Sequence, residues 1–170
     1  MVLASLGVSA AAIVVLVGLS AFFSSSETAI FTLPEEWFSD PSAAADGRLS
    51  LLRELRSDPH RLLVTILVGN NVVNVAIASL TTLLATEYLP AGTAVTVATV
   101  VASAIVLVFG EIVPKSYGLG NAPSWALRVA RPLSIVERAL FPVVIVFDAV
   151  TRALNAAIGG EDVEQAHVEE

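Results

Sequence analysis

Residues 20–33 read SAFFSSSETAIFTL. The segment continues an apolar run that carries no charge from Met1 to Ser26. Ser24, Ser25, Ser26 and Glu27 interrupt it, and apolar character resumes at Ala29, Ile30 and Phe31. A carboxylate is costly in a bilayer, and where one occurs it is usually functional. The most polar cluster of the chain thus sits inside its most membrane-like segment, and its purpose has to be found in what faces it.

The surrounding composition agrees with a membrane protein. The chain has 170 residues, of which 55% are hydrophobic and only 15% charged. A soluble domain carries about 25% charged residues. Residues 1–26, 62–86 and 88–110 contain no Asp, Glu, Lys or Arg. Each is long enough to cross a bilayer, which takes about 20 residues. The first run has no basic n-region and is too long for the apolar core of a signal peptide. The expected helices cover residues 3–33, 60–86 and 91–115.

The nine basic residues set the orientation. Arg48, Arg53, Arg56 and Arg61 lie between the first and second spans. Lys115, Arg128, Arg131, Arg138 and Arg152 follow the third. None precedes the first span or lies in the turn at residues 86–92. The positive-inside rule puts the N-terminus outside and the C-terminus in the cytoplasm. Juxtamembrane amphipathic helices are expected at residues 47–56, 122–131 and 133–158. Asp46 is a candidate N-cap for the first of them, and Asp58-Pro59 caps the second span. Pro132 ends the second juxtamembrane helix, and Pro142 kinks the third. In that third helix Ser134, Glu137, Arg138, Asp148, Arg152 and Asn155 share one stripe. The expected fold is therefore all-α: a transmembrane domain over residues 1–159, with three spans belted by juxtamembrane helices. Residues 160–170 form an acidic tail or the start of a linker. The net charge of −7 does not suggest a nucleic-acid partner.

Each span carries one polar cluster. The first has Ser24–Glu27, the second has Asn70, Asn71 and Asn74, and the third has Gly110, Glu111, Pro114 and Lys115. At helical rise, Glu27 lies about 10 Å from Pro34 and Asn70 about 14 Å from Arg61. The clusters share the cytoplasmic half of the membrane. Plainer roles stand beside a common site. Ser25 and Ser26 suit back-bonding to carbonyls, Asn70 and Asn74 as well as Asn71 suit hydrogen bonding between helices, and Glu27 or Glu111 suits pairing with Lys115. Pro114 adds a physical argument. It lacks the N–H that would bond the carbonyl of Gly110, four residues back, and so leaves that oxygen free for a hard cation. Hydroxyl, amide, carbonyl and carboxylate oxygens without sulfur or imidazole suit magnesium, calcium or sodium.

Enzymatic motifs are missing. The histidines are His60 and His167 and there is no cysteine. No HExxH, GxSxG or phosphate loop occurs. A Ser24–Lys115 nucleophile pair has nothing specific behind it, and the expectation is a protein that is not an enzyme.

FFSSSETA in the first span, RLLVTILVGNNVVNV entering the second and FGEIVPKSYG ending the third resemble the transmembrane domain of the cyclin-M/CorC family. The resemblance covers about residues 3–159. It implies a homodimer in the plasma (inner) membrane that exports magnesium, coupled to sodium. It implies a magnesium site made by Ser24, Asn70, Asn74, the carbonyl of Gly110 and Glu111. Ser25, Glu27 and Asn71 are secondary candidates, and Pro114 and Lys115 structural supports. Members of the family continue into CBS modules that bind adenine nucleotides. This chain ends at Glu170, as a truncated piece or a short variant, and ATP binding is not expected of it alone. The alternatives are a passive divalent-cation channel and a magnesium-sensing scaffold without flux.

Overall fold

In hydrocarbon, backbone N–H and C=O groups find partners only within a helix or a closed barrel. Runs of Val, Leu, Ile and Ala here wind into helices. The computed structural model describes residues 2–38 and 47–158. Its elements are α1 Val2–Thr32, α2 Glu35–Phe38, α3 Gly47–Arg56, α4 Pro59–Thr86 and α5 Ala91–Ile105. A π-helical segment Val106–Ile112, α6 Val113–Gly120 and α7 Ala122–Ile158 follow. Among the described residues there is no strand.

Three stretches are long and apolar enough to span a bilayer: Leu6–Thr32, Pro59–Thr86 and Ala91–Gly120. The protein is an all-helical, multi-pass membrane protein. The third span is longer than the expected 91–115, because α5, the π segment and α6 continue one another to Gly120. Asp58 starts α4 as expected: its carboxylate accepts the backbone N–H of Arg61 at 2.9 Å, with Pro59 in the first turn. Asp46 and residues 159–170 lie outside the described residues.

α1 is the hub. Its second half packs on α4, on the π segment and α6, and on α7. Ser20, Phe23, Ser24, Ser25, Ser26, Ala29 and Ile30 are all buried there. The first half leaves Val8, Val14 and Val15 exposed on its apolar surface. α3 is amphipathic, burying Leu49, Leu52 and Leu55. Its Arg56 donates to the carbonyls of Ile30 and Leu33 at 3.2 and 2.7 Å. α1 has no basic residue in its own last turn. Arg56 thus serves the carbonyls that the end of α1 leaves without partners.

α7 corrects one expectation. Pro132 does not end a helix: α7 is continuous from Ala122 to Ile158, with Pro132 and Pro142 inside it. An internal proline costs one hydrogen bond and a clash with the carbonyl four residues back. Here Val129, Ala130, Leu133 and Ser134 are buried on both sides of Pro132, and packing holds the course of the chain. The expected polar stripe begins against protein. Ser134 is buried, and Glu137 Oε1 lies 2.9 Å from Arg61 Nε. Arg61 also stacks over the Phe141 ring at 4.6 Å. The side chains of Asp148, Arg152 and Asn155 lie outside the described set. Ile135, Val146 and Phe147 form an exposed apolar face.

Candidate cation site

The first residue of the site is one that the sequence reading passed over. Ser20 is fully buried. Its Oγ lies 3.0 Å from Asn70 Oδ1 and 2.8 Å from Asn74 Oδ1. Asn70 and Asn74 are one turn apart, so both amides reach the same point of α1. A hydroxyl has a single proton and cannot serve two acceptors at once. At least one amide oxygen is therefore left with its lone pairs directed at another oxygen. Gly110 closes the third side. A Cβ built on it would meet Ser20 Oγ at 2.7 Å, so any larger residue here would make the serine side chain turn.

Ser24 lies one turn further along α1, on the Ser20 face. It is fully buried and its Oγ has no hydrogen-bond partner. Buried polar atoms are rarely left in that state. Ser20, Asn70 and Asn74 bring three side-chain oxygens to one point, with a single hydroxyl proton directed between them. Such a set favours a positive charge in its midst. Thr65 of α4 is also buried with an unpartnered hydroxyl, and no contact assigns it to this set.

The third span reaches the site through the π segment. The N–H of Val113 bonds Val108, five residues back, in place of the α-helical partner. Pro114 follows at once and is buried. The position that would donate to the carbonyl of Gly110 in an α-helix is this proline, which has no N–H. Pro114 by itself predicts one freed carbonyl, and the structure shows seven residues rewound. Short π stretches inside α-helices are frequent at functional sites. Glu111 stands next to Gly110 in this segment. It makes no ion pair or hydrogen bond among the described residues.

The remaining candidates lie elsewhere. Ser25 Oγ donates to the carbonyl of Ala21 at 2.6 Å and accepts Trp125 Nε1–H at 3.0 Å. Ser26 donates to the carbonyl of Phe22 at 2.6 Å. Asn71 is exposed and donates to the carbonyl of Leu67 at 2.9 Å. Glu27 Oε2 lies 3.4 Å from Lys115 Nζ. Lys115 is therefore partnered by Glu27, leaving Glu111 without it. No group of three or more His, Cys, Asp or Glu is gathered among the described residues. The candidate oxygens around Ser20 are neutral ones.

A family model described as the cyclin M transmembrane N-terminal domain matches residues 11–170. Over 130 residues the chain is 43% identical to a chloroplastic DUF21 domain-containing protein of Arabidopsis thaliana, covering 76% of this chain and 19% of the relative. It is 32% identical over 146 residues to the UPF0053 inner membrane protein YfjD of Escherichia coli, covering 83% and 33%. It is 30% identical over 142 residues to a UPF0053 protein of Synechocystis, covering 84% and 40%. The chain thus spans less than half the length of each of these curated relatives.

Proposed function

This chain belongs to the family of cyclin M transmembrane domains, and we propose that it carries magnesium out of the cytoplasm. The observation that supports this reading is the surplus of oxygen acceptors around Ser20. Two amide oxygens face one hydroxyl, and a second buried hydroxyl, Ser24, has no partner. A hard cation satisfies all of them at once, and oxygen ligands without nitrogen or sulfur suit magnesium rather than zinc or copper. Ser24, Asn70, Asn74, the Gly110 carbonyl and Glu111 are the proposed ligands, with Ser20 added as a neighbour that holds the two asparagines. One carboxylate leaves a bound magnesium ion with net positive charge. Binding is then weak enough for release, as conduction requires.

In this reading the positive-inside rule has the ends of the spans nearest Lys115 and Arg61 face the cytoplasm. The site is then taken to open inward, toward the pool from which magnesium is drawn. Coupling to sodium and assembly as a homodimer rest on the family resemblance. The named membrane location of the Escherichia coli relative favours the plasma membrane. Magnesium flux in proteoliposomes, with and without a sodium gradient, tests the reading. Uphill flux driven by sodium is the expected result. Downhill flux alone would make the protein a channel, and binding without flux would make it a scaffold or sensor.

A further inference from the structure

Beyond the central site, α1 and α5 part company. α1 meets the third span chiefly through the π segment and α6, while α5 packs on α4. A groove of about 190 Å³ lies between α4 and α5. Asn74, Ala78 and Thr82 line one wall, and Thr99, Ala102 and Ser103 line the other, with Val106 of the π segment beside them. Asn74, Ala78 and Thr82 recur every fourth residue and so form one stripe of α4. The groove begins at the same Asn74 that approaches Ser20. It reaches about 12 Å further to Thr82, one turn short of the end of α4.

The walls have a chemistry of their own. Ala78 and Ala102 have no bulk to fill the space. Thr82 donates to the carbonyl of Ala78 at 2.8 Å, and Thr99 to that of Val95 at 2.8 Å. Their protons are spent on their own helices, and the lone pairs of both oxygens remain free. Ser103 makes no hydrogen bond among the described residues. Serines and threonines in membrane helices often bond back with no further role. Ser79, which donates to Val75 and lies off the groove, is such a case. The groove differs because hydroxyls from two helices gather in one space that opens on the site.

We infer that this groove is the outer half of the cation's route. A partly hydrated magnesium ion leaving Asn74 passes between α4 and α5. The hydroxyl oxygens of Ser103, Thr99 and Thr82 stand in for lost water. This rests on the central site being a magnesium site, so the test reads binding and passage separately.

Ser103→Leu and Ala78→Leu, made singly in the full chain, fill the groove and replace none of the proposed ligands of the central site. Calorimetric magnesium affinity in detergent should stay within about threefold of the parent. Flux in proteoliposomes should fall at least about tenfold, as an apolar constriction excludes a hydrated ion. The chain has no cysteine. Thr82→Cys and Ser103→Cys should therefore report access when an impermeant cationic thiol reagent is added on the side of Glu87 and Tyr88. Both should react. Leu83→Cys, at an exposed apolar position off the groove, should not. Normal flux in both leucine variants would overturn the route and leave the central site standing. Cysteines at 82 and 103 as inert as at 83 would do the same. A parent protein with neither magnesium binding nor flux would remove the central site, and the route with it.

Discussion

Ser20 and Ser24 share a helix and a degree of burial with Ser25 and Ser26, yet the two pairs do different things. All four are exposed by 3% or less. Ser25 and Ser26 spend their protons on carbonyls of their own helix, and Ser25 takes the indole N–H of Trp125 as well. Their hydrogen bonding is complete within the scaffold. Ser20 faces two competing acceptors, and Ser24 faces none that bonds it. Residue type and burial do not separate the candidate site from the scaffold here; the count of hydroxyl protons against the acceptors that face them does. The third span repeats the division. Gly110 makes room for the Ser20 side chain, whereas Gly118 makes room for the backbone of Ser25.

The comparison is exposed first at Glu111, where the largest effect is expected. Glu111→Gln removes the formal charge of a proposed ligand. Magnesium binding should weaken by about a hundredfold or more, beyond the usual loss for an outer-shell group. Adding Lys115→Met should not rescue it, because Lys115 lies 3.4 Å from Glu27 and is committed there. Isothermal titration of the single and double variants decides. Full rescue would turn Glu111 into a structural residue and leave the acceptor surplus around Ser20 without its charge.

The two glycines sharpen the same division. Alanine at Gly118 drives its Cβ into the carbonyl of Ser25, and backbone gives way poorly. Gly118→Ala should cost about 2–3 kcal/mol of stability, the usual range for an overpacked contact. Alanine at Gly110 instead meets the end of a side chain, Ser20 Oγ, which turns aside. Gly110→Ala should cost less stability and lose magnesium affinity, since the turned serine no longer holds Asn70 and Asn74. Thermal melts with and without magnesium separate the outcomes, because a ligand raises the melting temperature only of a protein that binds it. Gly118→Ala should melt low and keep its magnesium shift, and Gly110→Ala should keep most of its stability and lose the shift. The reverse pattern would place the site on the wrong face of α1.

Much of this was legible in the residues. Charge-free runs gave the three spans, and Asp58-Pro59 gave the start of α4, because both signals are local. Helical spacing put Asn70 and Asn74 on one face, and that face meets α1 at Ser20, one turn before the expected cluster. Ser20 escaped notice because it is a single hydroxyl in an apolar run. The signal that finds it is its spacing of four residues before Ser24. The length of the π segment was not legible, since Pro114 announces a disturbed helix without saying how far the rewinding extends. The continuity of α7 through Pro132 was hidden for a different reason. Local preference argues for a stop there, and burial on both sides of the proline, a tertiary fact, overrides it.

The smallest expected effect is also the most direct reading of the two kinds of serine, because adjacent residues should respond with opposite signs. Ser24→Ala deletes a buried hydroxyl that has no hydrogen-bond partner in the protein. Relieving an unsatisfied polar group should raise stability by about 1 kcal/mol. The stabilisation gained on adding magnesium should shrink, because an oxygen ligand is gone. Ser25→Ala deletes the acceptor of Trp125 Nε1 and strands the indole N–H in a partly buried place. Stability should fall by about 1 kcal/mol, and the response to magnesium should be unchanged. Combining Ser25→Ala with Trp125→Phe removes both partners and should recover part of the loss, since the two sites are coupled. Denaturant unfolding in detergent, with and without magnesium, measures all three. Equal losses from Ser24→Ala and Ser25→Ala would mean that Ser24 has a structural partner after all, and the proton count that distinguishes site from scaffold would fail.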